Sequence, residues 1–104
     1  MIRGVQQRSV GMNLGNHVRR LAYHGRVQGV GFRATTVHLA RGFAVTGYVR
    51  NQSDGTVEVA VEGDRGEVER FLASISSRFS TNITKIEESC EAQPIEGKGF
   101  VVLP

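Results

Sequence analysis

Residues 45–63, VTGYVRNQSDGTVEVAVEG, constrain the fold more than any other stretch of the chain. Val45, Gly47 and Val49 alternate with Thr46, Tyr48 and Arg50, the period-two pattern of a strand with one face turned inward. NQSDG follows over 51–55, and its Asp-Gly supplies a tight reversal. TVEVAVEG, 56–63, resumes the alternation, with Val57, Val59 and Val61 inward and Glu58 and Glu62 outward. The pattern predicts a hairpin. A lone hairpin is marginal in water, so the flanking chain must cover its apolar face.

The flanks carry elements suited to that task. VRRLAYHG, 18–25, reads as a strand with Leu21 and Tyr23 on one face. Phe32, Val37, Ala40 and Phe43 lie near helical spacing, with Gly42 leaving the helix end open between 42 and 44. Beyond the hairpin, Asp64 is placed as an N-cap with Glu67 three residues on. Val68, Phe71, Leu72, Ile75 and Phe79 then form an apolar helical stripe. NITKIEESCEA, 82–92, is a weaker strand, and GFVVLP, 99–104, a short closing one. The order strand, helix, strand, strand, helix, strand predicts an α+β, ferredoxin-like split βαβ sandwich (βαββαβ): an antiparallel sheet with two helices on one face.

Size and composition agree with one such domain. A chain of 104 residues buries roughly two thirds of its unfolded-chain surface, enough for one modest core. Apolar residues make up 39% and charged residues 22%, a globular balance. The net charge of +3 is too mild to argue for nucleic acid, and only Lys85 and Lys98 among the basic residues are lysine. A single cysteine, Cys90, excludes an intrachain disulfide and sits among acids, a poor setting for a reactive thiolate. No apolar run reaches membrane-spanning length, and the first residues lack a signal-peptide core, so a cytoplasmic protein without membrane association is expected. Residues 1–16 show no clean periodicity and are expected to be a loose extension ahead of a domain over 17–104.

Between the first strand and the first helix lies HGRVQGVGFR, 24–33. Gly25, Gly29 and Gly31 remove the Cβ penalty for positive φ, so successive N–H groups can curl into a concave nest in front of the helix. Such a nest binds anions, phosphate above all. Arg33, just inside the helix, can fold over it and hold two oxygens of one phosphoryl group. The run is neither a Walker loop nor G-x-G-x-x-G, and its spacing alone implies an anion nest and no more.

GRVQGVGFR followed by GYVRNQSDGTVEV resembles the acylphosphatase family, from about Tyr23 to Leu72 and more weakly to the terminal GFVV. The resemblance implies a ferredoxin-like fold and hydrolysis of small acyl phosphates to a carboxylate and inorganic phosphate, with no metal, cofactor or phosphoenzyme. It implies that Arg33 binds the phosphoryl group and that Asn51 orients the attacking water. Arg26, Val27, Gln28, Gly29, Val30, Gly31 and Phe32 would line the phosphate cradle with their backbone. The chain departs from the family pattern at Ala44, which stands where a glycine is usual, at Gly42, and at Tyr48, a site that is often Trp. Its N-terminal extension is longer than usual, and the segment after Ile75 is only loosely similar. Related domains occur fused to large carbamoyl-transfer maturation proteins; a chain ending at 104 without a linker reads instead as free-standing, and a monomer suffices.

Other readings compete. The same loop could hold phosphate or carboxylate without turnover, as a binding module. RNA binding would need aromatics exposed on the sheet, and the five Phe and two Tyr are mostly wanted by the core. Asp54 as a nucleophile is disfavoured by its place in an Asp-Gly turn. His17, His24 and His38 share no ligand spacing, so no metal site is expected; His24 is placed at the loop rim and His38 on a helix surface. Glu87, Glu88 and Glu91 read as a solvated acidic edge.

Overall fold

The computed structural model describes residues 16–90, 93–95 and 97–104. The extension expected over 1–16 therefore lies, except for Asn16, outside the described residues, as does Glu91. Strand β1 (Asn16–Gly25) leads through a loop to helix α1 (Phe32–Ala40) and strand β2 (Val45–Asn51). Strand β3 (Val57–Asp64), helix α2 (Arg65–Arg78), strand β4 (Ile83–Glu88) and strand β5 (Phe100–Val102) complete the order.

The sheet runs β4-β1-β3-β2-β5. β3 lies antiparallel between β1 and β2, so each strand–helix–strand unit straddles a strand of the other, which is the split βαβ topology. Four strands form the expected antiparallel sheet. β5 joins β2 in parallel, from Gly47 against Phe100 to Val49 against Val102, so the sheet as a whole is mixed. Across the middle, Tyr23, Val57 and Asn51 stand in one row of the register and share the helix-covered face.

Alternation placed the core correctly. Leu21, Tyr23, Val49, Val57, Val59 and Val61 are buried beneath the helices. α2 contributes Val68, Phe71, Leu72 and Ile75, each side chain worth about 1.5–3 kcal/mol when fully buried. Phe32 stacks between Tyr23 and Phe79, with ring centroids 5.2 and 4.6 Å away, and so pins the start of α1 to the sheet.

Three local expectations differ. α1 stops at Ala40: the N–H groups of Arg41, Gly42 and Phe43 bond back to His38, Leu39 and Ala40, three residues earlier instead of four, a tighter 3-10 winding. The buried face of α1 is Phe32, Thr36 and Ala40, spaced by four, with Val37 only partly buried. Small side chains there let the helix approach the sheet, a packing requirement that hydrophobicity does not report. Asp64 does cap α2, accepting from the Gly66 N–H at 3.1 Å, but Glu67 does not close a capping box. It accepts from the Ala44 N–H at 2.7 Å instead, linking the two halves where the chain departs from the family pattern.

Glu58 faces outward from the helices, as alternation requires, yet it is only 8% exposed. Arg50 donates to one of its carboxylate oxygens at 2.7 Å and Arg20 lies 3.4 Å from the other. Tyr48 donates to it at 3.3 Å and carries the Arg50 guanidinium above its ring. Long side chains from neighbouring strands thus cover a charge that a single-strand pattern leaves in water.

Candidate active site

Residues 26–31, RVQGVG, join β1 to α1. The loop is anchored at three points. At its start the Arg26 N–H donates to the Asn82 carbonyl at 2.9 Å, and the Asn82 amide donates back to the Arg26 carbonyl at 3.1 Å. Gly25 permits this approach, since a Cβ there would stand 2.2 Å from the Asn82 oxygen. Val27 is buried in the core. Gln28 then donates its amide to the carbonyls of Gln52 and Thr56, both at 2.8 Å. One side chain therefore ties the loop to the hairpin turn that follows Asn51.

Beyond those anchors the backbone is open. Among the described residues, the only backbone hydrogen bond donated from 26–31 is that of Arg26, and the first turn of α1 has no internal acceptors for its own N–H groups. Gly29 and Gly31 have φ of 78° and 82°, the left-handed region that lets consecutive amides converge. Gly31 is the N-cap of α1 and supplies no side-chain cap, and a Cβ at either glycine would meet nothing within 4 Å. Val30, between them, is exposed. The helix therefore presents bare donors and the positive end of its dipole to solvent.

Arg33 lies in the first turn of α1, is exposed, and pairs with no acid among the described residues. Asn51 is the last residue of β2, at the sheet end where α1 begins and on the face α1 covers. Its Oδ1 is buried and meets no donor among the described residues, an acceptor suited to orienting a small donor such as water. The fold thus brings the loop, Arg33 and Asn51 to one end of the sheet. It also gives the Gln28 side chain, expected only as cradle backbone, and Asn82, which no motif singled out, supporting roles that depend on which carbonyls lie across from them.

The remaining charged residues are otherwise engaged. Asp54 accepts from both the hydroxyl and the N–H of Thr56, at 2.6 and 3.0 Å, which holds its carboxyl below the usual range and fixes the turn. Glu87 bonds His24 at 2.7 Å and Glu88 pairs with Arg19 at 2.8 Å; both acids stay exposed on the edge strand, as expected, and each is also tied across to β1. Burial pushes the Tyr23 hydroxyl far above its ordinary titration range. No cluster of metal-ligating side chains is present among the described residues, and no helix is long and apolar enough to cross a membrane. A cleft of about 350 Å³ bounded by His17, Arg19, Arg65, Glu69 and Glu88 lies elsewhere, but it offers an internally neutralised pair where the loop offers free donors.

The comparisons with known proteins fall on these elements. The family model for acylphosphatase matches residues 19–102. The acylphosphatase of Azorhizobium caulinodans is 39% identical over 87 residues, 83% of this chain and 94% of that one. The crystal structure of acylphosphatase from Bacillus subtilis superposes with a TM-score of 0.70 at 31% identity, covering 84% of this chain and 98% of that chain. Full-length HypF, solved in a phosphate- and nucleotide-bound form, matches with a TM-score of 0.71 at 27% identity; 86% of this chain is covered but only 12% of HypF. A match that runs from the middle of β1 to the end of β5, over the loop and the hairpin alike, means that the chain belongs to the acylphosphatase family, in fold and in hydrolase class.

Proposed function

We propose that the chain hydrolyses small acyl phosphates to a carboxylate and inorganic phosphate by direct attack of water, with Arg33 and Asn51 as its catalytic residues. The observation that carries this reading is the open donor set: loop amides and an Arg33 without partners among the described residues, together with the start of α1, at the same end of the sheet as Asn51, the last residue of β2.

The phosphoryl group sits in the loop from Arg26 to Phe32 and accepts from its N–H groups, while the Arg33 guanidinium takes two of its oxygens. Asn51 holds a water in line through its amide oxygen. A new bond forms from that water to phosphorus as the bond from phosphorus to the acyl oxygen breaks. The leaving carboxylate is a weak base and needs no proton, and the water's proton passes to a phosphoryl oxygen. Asn51 cannot accept a proton, so its part is orientation. For a transfer of this type positioning and charge stabilisation suffice. All these groups come from one chain, which supports a monomer as the working unit; a cytoplasmic location completes the reading.

The test is hydrolysis of benzoyl phosphate by the purified protein with a chelator present, beside Arg33→Ala and Asn51→Ala. Loss of one preorganised charge donor costs about 3–4 kcal/mol of transition-state stabilisation, so Arg33→Ala should lower kcat/KM several hundredfold. Asn51→Ala should lower kcat more than it raises KM. Full turnover in Asn51→Ala would remove its role. A parent that binds phosphate through Arg33 without turning over would be a binding module.

A further inference from the structure

The donors of the loop account for the phosphoryl half of a substrate and leave the acyl half open. Beside Arg33 a cleft of about 310 Å³ runs between the first turn of α1 and the end of β5. Gly29, Gly31 and Arg33 form its loop side, and Val27, Phe32, Ala34 and Val102 supply carbon. Val27 and Phe32 are almost fully buried and form the floor, whereas Val102 is 45% exposed and forms the free wall. Its position follows from the register: Val102 pairs with Val49, whose side chain is buried under the helices, so Val102 stands on the helix side of the edge strand. Val101, equally exposed at 45%, points to the opposite face.

We infer that this cleft is the acyl subsite, that it selects substrates with an apolar, ring-sized acyl group, and that Val102 is the residue that sets the preference. This rests on the hydrolase reading above. The cleft shares Gly29, Gly31 and Arg33 with the phosphate nest, so a group bonded to a phosphoryl held there must leave along it or into solvent. An apolar cavity of about 150 Å³ holds benzene, so the space suffices for a phenyl ring with one side still wet. The hydrogen-bond donors of the walls, Arg33 and the loop amides at Gly29 and Gly31, are the ones the phosphoryl group occupies, and the remaining lining side chains are carbon. A polar acyl chain would be desolvated there without compensation.

The experiment compares kcat/KM for benzoyl phosphate and acetyl phosphate in the parent, in Val102→Thr and in Val101→Thr. Threonine keeps the branched shape and volume of valine, so strand geometry is preserved while the apolar wall is lost. The parent should favour benzoyl phosphate by about tenfold, and Val102→Thr should cut that ratio about threefold through KM. Val101→Thr should leave it unchanged. Benzylphosphonate should likewise inhibit acetyl phosphate hydrolysis more tightly than methylphosphonate, with the difference reduced in Val102→Thr. A parent ratio near one, or a ratio that Val102→Thr does not move, overturns the subsite while leaving the hydrolase reading intact. Failure to turn over either acyl phosphate overturns that reading and the subsite with it.

Discussion

The two strand-to-helix junctions of this fold solve the same problem in opposite ways. At the second, β3 ends at Asp64, α2 begins at Arg65, and the Asp64 carboxylate accepts from the Gly66 N–H. The first is drawn out over residues 26–31, capped by a left-handed Gly31 with no side-chain acceptor, and followed by Arg33, which pairs with no acid among the described residues. Both helices then pack on the same sheet, α1 through Phe32, Thr36 and Ala40 and α2 through Val68, Phe71, Leu72 and Ile75. The difference teaches where function resides in a symmetric architecture. A sealed helix start stabilises the scaffold, whereas an unsealed one keeps donors and dipole free for a ligand and must be held open by anchors elsewhere.

The strongest way to break this contrast is to seal the open junction. Gly31→Asp places a carboxylate in the nest, where aspartate tolerates the left-handed conformation and a Cβ meets nothing within 4 Å. We expect kcat/KM for an acyl phosphate to fall about a hundredfold or more, with stability changed by no more than about 2 kcal/mol. Phosphate inhibition constants beside urea melts would separate the two effects. Near-wild-type activity would show that the nest is not where phosphate binds.

A smaller change loosens the anchors. Gln28→Ala leaves the Gln52 and Thr56 carbonyls without their side-chain donor and frees the loop from the turn after Asn51. We expect about 1–3 kcal/mol of lost stability and a fall of about tenfold in kcat with less change in KM. An equal rise in KM would mean that Gln28 shapes phosphate affinity and not the alignment of loop with Asn51. The matched change at the sealed junction, Asp64→Ala, removes only a cap. It should cost about 1 kcal/mol and a few degrees of Tm, and leave kcat/KM unchanged.

Acid should divide the two regions most gently. Residues 26–34 contain no carboxylate, whereas four among the described residues of the scaffold are held below the ordinary carboxylate range. Asp54 is lowered by the Thr56 hydroxyl, Glu67 by the Ala44 N–H, Glu87 by its bond to His24 and Glu88 by Arg19. Their folded pKa values lie below the unfolded ones, so their contribution is complete above about pH 5 and is lost as pH falls through the folded values. Urea midpoints should hold from neutrality to about pH 5 and decline below about pH 4. All four sit near the surface, so the decline should be shallow, and a steep one would point to a buried acid.

Alternation and helical spacing determined much of this protein from the chain alone. Val57, Val59 and Val61 had to face the core because period-two strands have only two faces, and the Asp-Gly turn fixed their hairpin. The glycines at 29 and 31 announced positive φ, and the order of elements placed Arg33 at a helix start. Tertiary structure decided what local pattern cannot encode. Glu58 is covered because Arg20 and Arg50 reach it from β1 and β2. Gln28 acts as a clamp because two carbonyls of a distant turn lie opposite it. Val102 lines the cleft because parallel pairing with Val49 turns it toward α1. A sequence records the face a side chain prefers; which partner waits on that face depends on registers and helix positions set by the whole core.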